Sequence, residues 1–90
     1  MPPVAVTLVS KPGCHLCDAA RQVITGVIGE LPDASSVTLD ELSIFDDEEL
    51  LEKYVEEIPV VLIDGRVHNI WRVDPIRFRN ALDKALEASA

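Results

Sequence analysis

From Leu16 onward, apolar residues recur at positions 16, 19, 20, 23, 24, 27, 28 and 31, directly after the uncharged, β-branched run Val4-Ala5-Val6-Thr7-Leu8-Val9. The recurrence is an i, i+3, i+4 series and predicts an amphipathic helix, which Pro32 stops. The preceding run has little polar alternation and predicts a strand buried on both faces. Lys11-Pro12-Gly13 breaks the strand before the helix begins. Gly26 and Gly29 weaken the helix by about 1 kcal/mol each relative to alanine without removing the pattern.

The same reading continues along the chain. Val37 to Ile44 sets Val37, Leu39, Leu42 and Ile44 among Asp40, Glu41 and Ser43, a polar strand suited to a sheet edge. Asp46-Asp47-Glu48-Glu49 has the spacing of an N-cap at Asp46 with a reciprocating Glu49, followed by a helical stripe of Leu50, Leu51, Tyr54, Val55 and Ile58. Pro59 opens the apolar strand Val60 to Ile63, Asp64-Gly65 signals a hairpin, and Arg66 to Trp71 returns. Asp74-Pro75 supplies an N-cap and a first-turn proline, with Val73 and Phe78 spaced as a hydrophobic staple. Phe78, Ala81, Leu82, Ala85 and Leu86 then line a last helix. The expected order is β-α-β-α-β-β-α, an α/β fold, with Tyr54 and Phe78 in the core.

Ninety residues make one domain, 1–90, with no room for a large enclosed cavity. Eight basic against 16 acidic residues give a net charge of −8, which argues against nucleic acid or an anionic membrane as partner. No apolar run approaches the ~20 residues of a membrane span. Met1-Pro2-Pro3 has no basic leader region, so a cytoplasmic protein is expected. Residues 30–57 carry eleven acids against Lys53, a net of −10, while the flanking thirds are each +1. A solvated acidic face is the plain reading, and a docking surface for a basic partner is the alternative.

Chemistry is concentrated in Cys14-His15-Leu16-Cys17, which holds both cysteines of the chain. Mid-helix side chains three apart have Cβ atoms about 5–6 Å apart, too far for the ~3.5–4.5 Å of a relaxed disulfide. Placing Cys14 at the non-helical edge of the helix lets the pair close. The unpaired N–H groups there favour a thiolate, the attacking species in disulfide exchange. Cys14 is expected at the exposed tip as nucleophile, and Cys17 beside the buried stripe as resolving thiol. A zinc site would need further ligands, and His15 and His68 share no ligand spacing with the cysteines, so no metal is expected. His15 could assist the thiolate but reads as a surface residue, Asp18 opposes it weakly, and Trp71 reads as packing.

The strand, the Lys11-Pro12-Gly13-Cys14-His15-Leu16-Cys17 segment and Ile58-Pro59 ahead of a hairpin resemble a glutaredoxin of the thioredoxin fold. The pattern Asp46, Leu50, Tyr54, Ile58, Pro59, Val60 is similar to that of the short bacterial glutaredoxin-like proteins. The resemblance implies a four-stranded mixed sheet ordered 2-1-3-4, with strands 1 and 2 parallel, and a cis Ile58-Pro59 peptide packed against the dithiol. It implies a substrate site drawn from Lys11, His15, Leu16, Ile58, Pro59, Arg72 and Asp74, with Lys11 matching a lysine that pairs with a glutathione carboxylate. His15 and Leu16 stand where the family typically has proline and tyrosine, and Asn69-Ile70-Trp71 occupies the region of a glycine pair.

The expected function is a small thiol–disulfide oxidoreductase that reduces protein or glutathione-mixed disulfides, with Cys14 attacking and Cys17 resolving. No bound cofactor is expected; glutathione or another low-molecular-weight thiol is the co-substrate. Disulfide-containing proteins or small thiols are the partners, and a monomer is expected. The alternatives are a thioredoxin-fold binding module with a regulatory dithiol and an iron–sulfur cluster carrier.

Overall fold

The short apolar and β-branched runs become strands, and the period-3.6 segments become helices, in the expected order. The computed structural model describes residues 3–89: β1 (Val4–Ser10), α1 (His15–Gly29), β2 (Val37–Ser43), α2 (Glu48–Tyr54), β3 (Val60–Ile63), β4 (Arg66–Ile70) and α3 (Pro75–Ser89). Met1 and Pro2, which open the stretch weighed as a leader, lie outside the described residues, as does Ala90. The four strands form one sheet in the order β2-β1-β3-β4. β1 runs parallel to β2, from Val4 opposite Val37 to Ser10 opposite Ser43. β3 lies antiparallel to both β1 and β4. The parallel β1–β2 pair requires a crossover, which α1 supplies, whereas β3 and β4 need only a tight turn. That turn is Asp64-Gly65 with φ of 50° and 80°, the positive angles of a two-residue hairpin. Asp64 also holds the hairpin to β1: its N–H donates to the Ala5 carbonyl (2.7 Å), and its carboxylate accepts from the Ala5 N–H (2.9 Å).

Alternation along the strands divides the core between the two sheet faces. Val4, Val6, Leu8, Val61 and Ile63 pack with Ala20, Ile24 and Val27 of α1 and with Phe78 and Leu82 of α3. Val9 and Val60 belong to a second cluster with Ile44, Tyr54 and Ile58. Cys17 joins this second cluster, although Ala20, Val23, Ile24, Val27 and Ile28 further along α1 pack into the first. The start of α1 therefore sits where the two cores meet. α3 begins as expected, with the Asp74 carboxylate accepting from the N–H groups of Ile76 (2.8 Å) and Arg77 (3.1 Å). No described helix is long and apolar enough to cross a membrane.

The α2 region departs from expectation. Asp46 is not its cap. It closes a 3-10 turn over Ile44–Asp46, in which Ser43 Oγ accepts from the Phe45 N–H and the Asp46 carboxylate accepts from the Ser43 N–H. The cap of α2 is Asp47, whose carboxylate accepts from the Glu49 N–H at 2.8 Å. Two adjacent aspartates can each terminate a turn, and the 3-10 turn absorbs the first. α2 ends at Tyr54, so the apolar stripe is cut short: Val55 is exposed, and Ile58 is buried from the segment beyond the helix. Ile44 likewise leaves the strand but remains buried.

Candidate active site

Gly13 turns the chain into α1 with a φ of 73°, a left-handed angle that a side chain would resist. Cys14 follows in extended conformation as the N-cap of α1. Its Sγ accepts the Cys17 N–H at 3.2 Å, so the sulfur occupies the place usually taken by a Ser or Asp capping oxygen. Cys14 is half-buried and Cys17 is 1% exposed, and both are free thiols. Burial foremost pushes the Cys17 thiol up to about 11, reinforced by the neighbouring Cys14 sulfur; the Lys11 backbone amide and the Arg21 charge act in the opposite direction. The pair is therefore asymmetric: an accessible sulfur at a helix N-terminus lies against a buried thiol that holds its proton.

Arg21 lies one turn beyond Cys17 and ties α1 to β2. Its guanidinium donates to both Glu41 carboxylate oxygens (2.6 Å each) and to Asp18 (2.8 Å), and the Ser10 hydroxyl donates to Glu41 at 2.9 Å. Arg21, with Ser10, holds the Glu41 carboxyl below the ordinary carboxylate range. Asp18, which opposes a thiolate from one turn in, is thus partly neutralised by Arg21. Reading by sequence missed this network, although Glu41 follows Val37 and Leu39 on the inward parity of β2, where a carboxylate calls for a cation.

The structure distributes the remaining candidate residues around the dithiol. Lys11 and His15 are exposed on either side of Gly13 and Cys14. Ile58 is buried in the cluster that contains Cys17 and packs against Cys14. The Ile58-Pro59 peptide is cis, as the family resemblance implied. Leu16 and Arg72 both line a groove of about 350 Å³ that runs along the first turns of α1. Asp74 does not line this groove, and its carboxylate serves as the α3 cap. Trp71, expected to pack, is 53% exposed and lines the groove instead. Among the described residues, no three His, Cys, Asp or Glu side chains form a group that could hold a metal ion.

Comparison with known proteins agrees with this geometry. A family model described as glutaredoxin-like domain (DUF836) matches residues 5–83. An uncharacterized protein of Mycobacterium tuberculosis is 31% identical over 75 residues, spanning 82% of this chain and 77% of its own. A structural-genomics target protein from X. campestris superposes with a TM-score of 0.69 at 29% identity, over 88% of this chain and 96% of that one. A thioredoxin from Halobacterium salinarum shares the fold, with a TM-score of 0.66 at 13% identity over 94% of this chain and 76% of that one.

Proposed function

The chain belongs to the glutaredoxin-like domain family, and from that premise we propose that it is a thiol–disulfide oxidoreductase whose nucleophile is Cys14 and whose resolving thiol is Cys17. The observation that carries this reading is the half-buried Cys14 sulfur acting as the N-cap acceptor of α1, taking the Cys17 N–H, while the Cys17 thiol lies buried one turn in. In the first step the Cys14 thiolate attacks one sulfur of a substrate disulfide. A Cys14–substrate disulfide forms, the substrate S–S bond breaks, and the leaving thiolate takes a proton from water. In the second step Cys17 loses its proton and attacks Cys14 Sγ. The substrate departs as a thiol, and a Cys14–Cys17 disulfide remains. The Lys11 amide and the Arg21 charge, both of which favour the Cys17 thiolate, support this second step. Glutathione or another small thiol would then return the pair to the dithiol, oxidising two thiol molecules to one disulfide.

Disulfide-reduction assays on two variants test the assignment. Cys14→Ser is expected to abolish turnover. Cys17→Ser is expected to accumulate a mixed disulfide at Cys14, detectable by mass as one substrate thiol added per chain. Retained turnover in Cys14→Ser, or an adduct at Cys17 in the wild type, would reverse or remove the proposed roles.

A further inference from the structure

Trp71 combines three properties that packing alone does not require. Its φ is 66°, a left-handed angle at which a bulky side chain is an outlier. It is held there by two hydrogen bonds: its N–H donates to the Pro59 carbonyl at 2.8 Å, and its indole Nε1–H donates to the Glu56 carbonyl at 3.2 Å. Despite this anchoring, more than half of its surface faces solvent, at 53%. The indole therefore bridges the end of β4 and the turn before Ile58. A strained, anchored and exposed aromatic is organised for contact with something outside the chain.

What lies beside it narrows the choice of partner. Trp71 shares the 350 Å³ groove with Leu16, Ala19, Val23, Arg72 and Val73. Leu16 stands between the two cysteines in the chain and is itself 39% exposed, so the lining of the groove begins two residues after the nucleophile. Arg72 is the one charged residue of the lining.

We infer that Trp71 sets substrate specificity: with Leu16 it receives a large apolar side chain next to the reacting cysteine of a protein disulfide, and Arg72 turns away a cationic neighbour. This rests on the oxidoreductase reading above and narrows its substrate to polypeptide disulfides with an apolar flank. When a substrate sulfur bonds to Cys14, the residue following it is carried over Leu16 and into the groove. A leucine or phenylalanine there covers the indole and loses water, a glycine leaves the indole wet, and a lysine brings like charge to Arg72.

The experiment uses the full chain carrying Cys17→Ser and short peptides whose cysteine is disulfide-bonded to thionitrobenzoate, with leucine, glycine or lysine after the cysteine. Attack by Cys14 on the peptide sulfur releases yellow thionitrobenzoate and leaves the peptide on the protein. The leucine peptide is expected to react about tenfold faster than the glycine peptide, and the lysine peptide slowest. Because the chain has a single tryptophan, its fluorescence reports the groove directly, and a blue shift is expected on formation of the leucine adduct but not the glycine adduct. Adding Trp71→Gly, which suits a positive φ and should preserve the fold, is expected to bring the leucine and glycine rates to within about twofold of each other. Trp71→Phe should restore most of the preference. Equal rates for all peptides, or an unshifted fluorescence in the leucine adduct, would overturn the role of Trp71 while leaving the dithiol chemistry intact. No reaction at Cys14 with any peptide would overturn both.

Discussion

The two thiols lie three residues apart, yet their surroundings make them different reagents. With its thiol pushed up to about 11, Cys17 keeps its proton at pH 7. Its 1% exposure also keeps alkylating agents away. Cys14 is only half-buried and accepts an amide hydrogen bond on sulfur. Brief treatment with iodoacetamide at pH 7, followed by peptide mass mapping, is therefore expected to label Cys14 at least about a hundredfold faster than Cys17. Equal labelling would mean that the buried position of Cys17 opens readily in solution. This asymmetry was legible in the sequence, because Cys17 lies beside the helical stripe whereas Cys14 falls at the helix edge. The conformation of Trp71 was not legible. A positive φ at a tryptophan contradicts local preference and arises from hydrogen bonds to Pro59 and Glu56, residues twelve and fifteen positions earlier.

At the scale of elements, the segments with several agreeing signals formed where the residues placed them. α3 had a capping aspartate, a proline at the first helical position and a staple, and all three operate: Asp74 caps, Pro75 begins the helix, and Val73 packs against the cluster containing Phe78. Removing the cap in Asp74→Ala is expected to cost about 1 kcal/mol, lowering the melting temperature by roughly 4–8 °C, as read by thermal circular dichroism. Because Asp74 lies outside the groove lining, its loss should act on stability before it acts on peptide selectivity. Where signals competed, the sequence was ambiguous. Ser43, Asp46 and Asp47 are all capping residues; a 3-10 turn takes the first two, with Ile44 between them buried in the second cluster, and α2 takes the third. The Arg21–Glu41 pair joins residues twenty apart and required the parallel register of β1 and β2 to become visible.

Across the whole molecule, the sheet order was legible only through the family resemblance, which implied the observed 2-1-3-4, and the pH response depends on contacts made only in the fold. His68 on β4 lies half-buried with its ring 5.9 Å from that of Phe78, and its buried Nε2 has no hydrogen-bond partner. Burial first, and the Arg77 charge second, hold its pKa below the ordinary histidine value. The unfolded chain therefore binds a proton at His68 that the folded chain refuses, and stability rises with pH across that interval. The stabilisation is complete above the ordinary value of about 6.5 and is lost as the pH falls from there towards the folded value. Glu41 has the same sign, but its window begins only near the ordinary carboxylate value of about 4.3. In that lower window, protonation also relieves repulsion within the acidic segment 30–57, an opposing effect that confines a clean test to pH 5–7.5. Urea midpoints are accordingly expected to fall from pH 7.5 to pH 5 in the wild type. His68→Phe keeps an aromatic ring against Phe78, removes the titrating group and removes the unpartnered nitrogen. It should be no less stable than the wild type at pH 7.5 and should lose most of the decline towards pH 5, whereas a variant of the exposed His15 should retain it. A decline that persisted undiminished in His68→Phe would place the acid sensitivity elsewhere and remove His68 from the account of stability.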